Sequence, residues 1–379
     1  MAASPPHLGL EGLTRDLAIA ILLDGPVSRA ELARRHDLTP GTVTRLVTPL
    51  LKAGLVLEAE APDGPRRGLG RPSKPLSIAA GTHLFAGLKL TGASVSGVLV
   101  DMSAHVLATG QIELVGRDPQ AVVARIEALV ADLAGGRALA AVGIGLGGNV
   151  GPDDVVQRAP FLGWQNVPLG DLVGARLGVP VALANDVAGL TEAQHWFGAG
   201  RGLDSFALIT MGVGVGYGLV SGGHRVETPD YGIGLIGHMR LDPNGPRCAQ
   251  GHTGCAAALL SDAGIEASVA AGLGRPVSFD ECLDLALDGN PVASSVVSAS
   301  GRALGRLVAA VANIALPERV ILSGESARLA EVAARDVAAG LQEDRDPLAD
   351  EVDYVVQPSD PFDWARGAAV IALQRVLLA

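Results

Sequence analysis

Residues 27–50 read VSRAELARRHDLTPGTVTRLVTPL, and two helix starts follow one another closely within them. Ser28-Arg29-Ala30-Glu31 has the form of a capping box: the Ser hydroxyl accepts from the backbone N–H of Glu31 while Glu31 reaches back. Leu32 and Ala33 follow as buried positions, so a helix is predicted to about His36. After Asp37-Leu38, Thr39 is a second capping residue and Pro40 suits the first helical position. In this next helix Val43, Leu46, Val47 and Leu50 form an apolar stripe, which leaves Gly41, Thr42, Thr44, Arg45 and Thr48 on the opposite face. Two helices joined by so short a turn form the helix-turn-helix signature, and small hydroxyls with one Arg can enter a DNA major groove.

Upstream, Leu13, Leu17 and Ile21 recur at helical spacing until Asp24-Gly25-Pro26 forbids continuation. Downstream, Pro49 removes one helical hydrogen bond and is expected to kink the helix. Ala53-Gly54 closes it, Leu55 to Glu60 alternates apolar and polar as a strand, and Asp63-Gly64 marks a turn, so a wing hairpin is expected. The basic stretch Arg66-Arg67-Gly68-Leu69-Gly70-Arg71-Pro72-Ser73-Lys74-Pro75 can lay arginines into a minor groove; its other reading is an ordinary polar linker. The order predicts a flexible N-terminus (1–12), a winged helix-turn-helix (13–62), a basic wing or linker (63–80) and a body (81–379). In the head, Thr42, Thr44 and Arg45 are the expected base contacts, with Thr39 and Gly41 at the start of the same helix. Arg29, Arg66, Arg67 and Arg71 are the expected phosphate or minor-groove contacts.

The totals agree with that division. A chain of 379 residues with 48% apolar content exceeds what one core usually covers. The net charge of −11 is unevenly spread: residues 1–80 carry +2 and the remaining 299 carry −13. A basic head on an acidic body suits a protein that sets one end on phosphates while the rest is repelled. Three cysteines, Cys248, Cys255 and Cys282, do not make a disulfide framework. Neither a leader-like start nor an apolar run of membrane-spanning length is present, so a cytoplasmic location without a membrane partner is expected.

Beyond residue 80, strand-like runs alternate with helical ones. Phe85 to Leu90, Ser94 to Val100, a helix near Pro119 to Leu133 and Leu139 to Leu146 form one set. Val181 to Ala184, Phe206 to Thr210, Tyr217 to Val220 and a helix-strand pair from Arg302 to Ser323 form another. This predicts an α/β body of two similar lobes, roughly 81–188 plus a C-terminal helix, and 189–360.

Several segments of this body carry a resemblance: Gly145-Leu146-Gly147-Gly148, Gly163-Trp164 with Pro168-Leu169, Asn185-Asp186 after a short apolar strand, and Gly198-Ala199-Gly200-Arg201-Gly202. Gly212-Val213-Gly214-Val215-Gly216, Gly232-Ile233-Gly234-Leu235-Ile236-Gly237-His238 and Gly245-Pro246-Arg247-Cys248 running on to Gly254-Cys255 continue it. In this order and spacing the chain resembles the ROK family (repressor, open reading frame, kinase). The resemblance implies a two-lobed actin-like ATPase fold with a sugar cleft, commonly assembled as homo-oligomers, dimers or tetramers. The N-terminal head points to the family's regulator branch.

The departures from the family pattern are equally informative. Kinases of the family open the domain with an Asp-Gly-Gly-Thr-type phosphate loop, where this chain has Lys89-Leu90-Thr91-Gly92-Ala93-Ser94. Losing the carboxylate and the paired glycines removes the metal anchor and the close backbone approach that ATP needs, so no ATP is expected. Asp186 matches the family's catalytic base and sugar ligand, and a helix N-cap is its other reading. Two family carboxylates of the sugar site correspond to Leu235 and Ala257, which argues against glucose-like recognition. Gly147, Gly148, Asn185, Asp186 and His238 remain as the candidate ligand-binding set. The family's zinc pattern is a His followed by three Cys; His238, Cys248 and Cys255 match, Gln250 replaces the middle Cys, and His252 is a candidate fourth ligand. The other reading is a packed loop from which the metal has been lost.

Together these features predict a DNA-binding transcriptional regulator without enzyme activity, more a repressor than an activator, acting on a double-stranded operator and sensing a sugar or sugar phosphate. A sugar kinase carrying an extra head, and a sugar-blind regulator controlled by a protein partner, are the alternatives. The phosphate loop speaks against the first, and Leu235 with Ala257 supports the second.

Overall fold

A computed structural model describes residues 10–59, 74–228, 230–232 and 234–378. Arg66, Arg67, Arg71, the Asp63-Gly64 turn and residues 1–9 lie outside the described residues. Among them the chain divides into two compact units. The first takes Met1–Leu146, Val150–Ala184 and Ala365–Ala379, and the second takes Gly147–Asn149 and Asn185–Trp364.

The first unit opens with three helices, α1 (Gly12–Asp24), α2 (Arg29–Arg35) and α3 (Pro40–Lys52). Ser28 caps α2 by accepting from the N–H of Glu31, and Thr39 caps α3 by accepting from the N–H of Thr42. Each cap satisfies one otherwise orphaned helical donor, which typically contributes about 1 kcal/mol. The capping box of α2 is only half formed. Glu31 turns instead to the guanidinium groups of Arg34 and Arg35 on the next turn, because an ion pair at i,i+3 and i,i+4 draws the carboxylate more strongly than one backbone amide. The buried stripe of α1 is Leu17, Ala18, Ile21 and Leu22, and Leu13, expected inside, is 46% exposed. Helix α3 continues through Pro49 to Lys52 as one helix. Val43, Val47 and Leu50 are its buried residues, while Leu46 is only partly covered.

Strand β1 (Val56–Glu58) pairs antiparallel with β2 (Leu76–Ile78), so both legs of the expected wing are present. Leu76 also exchanges backbone hydrogen bonds with Val27, which ties the wing root to the entry of α2.

The first unit then builds a five-stranded sheet from β3 (Phe85–Leu90), β4 (Ser94–Val100), β5 (Val106–Glu113), β6 (Ala141–Leu146) and β10 (Val181–Asn185). Between these strands lie α4 (Pro119–Ala134), a small sheet of β7 (Asn149–Gly151), β8 (Val155–Ala159) and β9 (Trp164–Val167), and α5 (Leu169–Leu177). The large sheet runs in the order β10-β6-β3-β4-β5, with β3-β4-β5 an antiparallel meander and β6 parallel to β3.

The second unit repeats this plan. After α6 (Asp186–Phe197) come β11 (Phe206–Met211), β12 (Val215–Ser221) and β13 (His224–Arg225), then α7 (Ala256–Leu260), α8 (Asp262–Leu273), α9 (Phe279–Leu287) and α10 (Pro291–Ala315). Strand β14 (Arg319–Gly324), α11 (Arg328–Val332), α12 (Ala334–Glu343) and β15 (Tyr354–Pro358) complete it, and the last helix, α13 (Pro361–Leu378), belongs to the first unit from Ala365 onward. Its sheet runs β13-β12-β11-β14-β15: again an antiparallel meander of three, a fourth strand parallel to the first, and a fifth beyond it. The same topology twice is an internal repeat, recorded in strand order rather than in letters.

From Ala365 onward α13 lies on the first sheet at backbone contact. A Cβ at Gly143 would stand 1.8 Å from the carbonyl oxygen of Ala368, and one at Gly87 2.0 Å from that of Ala365. Ala365, Ala368, Ala369 and Ala372 are fully buried, so small residues on both sides permit the approach. Gly143→Ala is therefore expected to cost about 3 kcal/mol, the upper end of core overpacking, because rigid backbone rather than a flexible side chain stands in the way. Urea unfolding checks this, with Gly81→Ala, where a Cβ meets nothing within 4 Å, as the near-neutral control.

Candidate functional site

Helix α3 presents Gly41, Thr44 and Arg45 to solvent, with Thr39 and Thr42 beside them. Thr39 and Thr42 share a hydroxyl-hydroxyl hydrogen bond of 2.9 Å. Thr44 donates to the carbonyl of Pro40 at 2.9 Å, and Thr48 to that of Thr44 at 2.7 Å. With their protons spent on the helix, Thr44 and Thr48 turn lone pairs outward, which suits amino donors on base edges. Arg45 makes no hydrogen bond or ion pair among the described residues.

Arg29 is engaged differently. Its guanidinium bonds Glu58 at 2.7 Å and the carbonyl of Lys74 at 3.3 Å, while the Lys74 ammonium lies 3.3 Å from the same carboxylate. These partners, Arg29 first, hold the Glu58 carboxyl below its ordinary range. The knot joins α2 to both legs of the wing, and the charge it offers a phosphate is already shared. Sequence reasoning missed it, because strand pairing is what brings positions 29, 58 and 74 together.

The candidate ligand residues Gly147, Gly148, Asn185, Asp186 and His238 all fall in the second unit. Asn185 takes the N-cap of α6: its Oδ1 accepts from Val187 and Ala188, and its Nδ2 donates to the Gly148 carbonyl at 2.9 Å. Asp186 is the first residue of α6, with Oδ1 accepting the N–H of Val187 at 2.9 Å. A 3-10 turn spans Leu235–His238, and Ala257 lies against its Gly237. Leu235, at 65% exposure, and Ala257 thus give this turn an apolar margin where the family pattern carries carboxylates. His238 Nδ1 is buried and has no hydrogen-bond partner among the described residues.

Next to that turn, the loop 242–255 is cross-tied by its own backbone. Leu241 and Asp242 donate to the Gly254 carbonyl, Gly254 to that of Pro246, Cys248 to that of His252, and Gly251 to that of Cys248. Gly254 stands at φ +57°, and a Cβ there would fall 1.6 Å from the Asp242 carbonyl oxygen, so only glycine closes the loop. The closure brings His252 over His238, ring centroids 4.5 Å apart, and sets Cys248 Sγ 3.6 Å from His252 Nδ1. Ligand atoms of His238, Cys248 and His252 lie within 4.8 Å of one another. Cys255, fully buried, is not in that group.

At the position of the family's phosphate loop, the turn between β3 and β4 is closed on Thr91. Its hydroxyl donates to the carbonyl of Ser94 and accepts the N–H groups of Ala93 and Ser94. Two backbone donors that could meet a phosphate are thereby occupied. Among the described residues no helix is long and apolar enough to cross a membrane.

Residues 85–374 match the ROK family. The chain is 27% identical over 346 residues to the DNA-binding transcriptional repressor Mlc of Escherichia coli K12, covering 86% of this chain and 85% of that protein. It is 29% identical over 329 residues to the DNA-binding transcriptional dual regulator NagC of the same organism, with 81% and 79% covered. Glucokinase of Thermotoga maritima is 33% identical over 264 residues, covering 65% of this chain and 83% of the enzyme. Among solved structures, a ROK family transcriptional regulator described as a homolog of the E. coli Mlc protein superposes with a TM-score of 0.80 at 25% identity, covering 96% of both chains. A ROK family glucokinase from Streptomyces griseus, in complex with glucose and AMPPNP, gives 0.65 at 26% identity over 77% of this chain and 99% of its own.

Hydrogen bonds from the Gln250 and His252 backbone and the His252 ring outweigh burial at Cys248 and bring its thiol down to about 7. Burial, with Glu266 and Glu281 adding to it, pushes Cys282 up to about 11. The thiolate of Cys248 therefore forms as pH rises through about 7, where Cys282 stays protonated. Iodoacetamide labelling of the metal-free chain, read by mass spectrometry, is expected to rise at Cys248 between pH 6 and 8, a span set roughly one unit either side of that value, and to stay low at Cys282.

Proposed function

The chain belongs to the ROK family and has its actin-like ATPase fold behind a winged helix-turn-helix, and from that premise we propose that it is a sequence-specific DNA-binding transcriptional regulator, a repressor. The observation that carries this reading is the solvent face of α3, where Arg45, unpaired among the described residues, stands beside Thr42 and Thr44 on a helix fixed by the Thr39 cap. Similarity to Mlc and NagC over 86% and 81% of the chain, against 65% for the Thermotoga maritima glucokinase, supports it.

In this account the protein binds a double-stranded operator as a homo-oligomer, dimer or tetramer, and the body biases the separation of two heads. Thr42, Thr44 and Arg45 read bases, with Thr39 and Gly41 at the start of the same helix. Arg66, Arg67 and Arg71 contact phosphate or minor groove, and Arg29 contributes chiefly by holding α2 to the wing. Gly147, Gly148, Asn185, Asp186 and His238 receive a sugar or sugar derivative, whose occupancy shifts the heads. The body is not a kinase: Thr91 fills the phosphate turn and Lys89 stands where a carboxylate would assist the metal. A second reading, a sugar-blind regulator controlled by a protein partner, draws on the exposure of Leu235.

His238, Cys248 and His252 fit a zinc ion by donor chemistry, since thiolate and imidazole both suit it, and the unpartnered buried Nδ1 of His238 is a donor in need of a partner. Bound there, zinc would supply a cross-link between the Leu235–His238 turn and the loop 242–255.

Arg45→Ala is expected to weaken binding to a selected operator by about 10- to 100-fold at fixed salt, or ~1–3 kcal/mol, and to relax specificity at its base pair. Arg29→Ala is expected to cost less in affinity and more in thermal stability of the head. Fluorescence anisotropy with a selected duplex measures both, and a panel of sugars and sugar phosphates is then added. Unchanged affinity in Arg45→Ala would remove α3 as the reader; release by one sugar supports sensing, and no release by any turns the account to the partner-controlled reading.

A further inference from the structure

The cations of the head fall into two groups. On α2, Arg34 and Arg35 are paired with Glu31, and Arg35 also with Asp24 at 2.7 Å. Arg29 and Lys74 meet on Glu58, at 2.7 and 3.3 Å. Every basic residue of α2, and Lys74 of the wing, thus has a carboxylate of its own head against it. On α3 no carboxylate answers Arg45 among the described residues. We propose that Glu58 is a specificity-determining residue of the head: by holding Arg29 and Lys74 it keeps both from binding phosphate without regard to sequence, and leaves discrimination to α3. This rests on the regulator reading above and adds a residue to it.

Phosphate contact is the sequence-independent part of DNA binding. Each cation that neutralises a phosphate releases counterions and strengthens the grip on operator and unrelated duplex alike. Unrelated sites in a genome outnumber operators by a factor on the order of a million, so what matters to a regulator is the ratio of the two affinities. Glu58 stands where it governs that ratio. Its two oxygens are divided, Oε1 accepting from Arg29 and Oε2 facing the Lys74 ammonium, and Arg29 donates to the Lys74 carbonyl as well. The Arg29 side chain is 25% exposed and that of Lys74 68%, so both meet solvent, and each brings a counter-charge with it. A phosphate that approaches either cation must displace the carboxylate or bear its repulsion.

The same knot makes the two binding modes unequal. It joins α2 to both legs of the wing, and an operator complex needs helix and wing in one arrangement, whereas a complex with unrelated DNA does not. Neutralising Glu58 therefore frees cations in both modes and loosens a support that only the operator mode uses. Exposed ion pairs of this kind hold their partners by a factor of about 2 to 5 each, which sets the size of the effect.

Fluorescence anisotropy of the full chain, with a selected operator duplex and a scrambled duplex over a series of KCl concentrations, tests this. In Glu58→Gln the scrambled duplex is expected to bind about 3- to 10-fold more tightly at low salt, with its log–log salt slope steeper by about 1 to 2. The operator gains less, so the ratio of the two affinities falls. In a variant that combines Glu58→Gln with Arg29→Gln and Lys74→Gln the gain should vanish, because no cation is left to free. Glu11→Gln removes an exposed carboxylate at the start of α1 and should leave slope and ratio unchanged. The salt slope does not depend on the fraction of chain that is folded, so a partly unfolded variant still gives an answer. An unchanged slope and ratio in Glu58→Gln, a gain that survives in the combined variant, or an equal gain in Glu11→Gln would each overturn the role of Glu58 and leave the regulator reading standing. If the unsubstituted chain prefers no selected duplex to the scrambled one, the regulator reading fails and this role with it.

Discussion

The first unit depends on a contact in which backbone meets backbone. The carbonyls of Ala365 and Ala368 reach the central strands of the sheet only because positions 87 and 143 carry no side chain. Such a contact has no soft component: a Leu-on-Leu interface can repack by rotamer, but two main chains cannot. The same helix carries, near its other end, the carbonyl of Leu378 that accepts from Arg15 of α1, and Arg375 pairs with Asp154 in the middle of the unit. One helix therefore serves as the floor of the sheet and as an anchor for the head, so a disturbance of its seating reaches both.

The caps were legible in the sequence because a cap is a local event: Ser28 and Thr39 need only the amide three residues on. The head's failures were failures of locality. Glu31 could be read as reaching back to Ser28, but Arg34 and Arg35 compete for it, and the sequence does not rank the two. Leu13 has helical spacing to Leu17, yet it stands 46% exposed among the described residues, because spacing does not say which face of the first turn meets the core. In the body the alternation of strands and helices was visible, while β5, whose residues point alternately to solvent, and the small β7-β8-β9 sheet gave weaker patterns. The repeat of sheet order in the two units was invisible at the level of letters, because topology is conserved by connection and hydrogen bonding rather than by residue identity.

The candidate sites divide along the same line. Asn185 and Asp186 could be placed at a strand end from sequence, but which of them caps α6 is decided by dihedral angles. The candidate metal residues come from the family resemblance, whereas the gathering of His238, Cys248 and His252 within 4.8 Å of one another depends on the cross-tied loop that Gly254 closes. Arg29 looked like a phosphate contact because an exposed cation at a helix start often is one. Its pairing with Glu58 and Lys74 belongs to the wing, whose two legs are far apart in the chain and adjacent in space. Part of the charge of this head is spent on holding the wing.

The turn closed on Thr91 bears on descent. A chain with glycine at 91 would free two amides but still carry Lys89, and one with a carboxylate at 89 would still present a filled turn. Neither step alone would give a phosphate and its metal a place, because the filled turn and the lysine at 89 are separate obstacles. At least two substitutions, one in the turn and one on the strand before it, therefore stand between this body and the phosphate loop of the family's kinases.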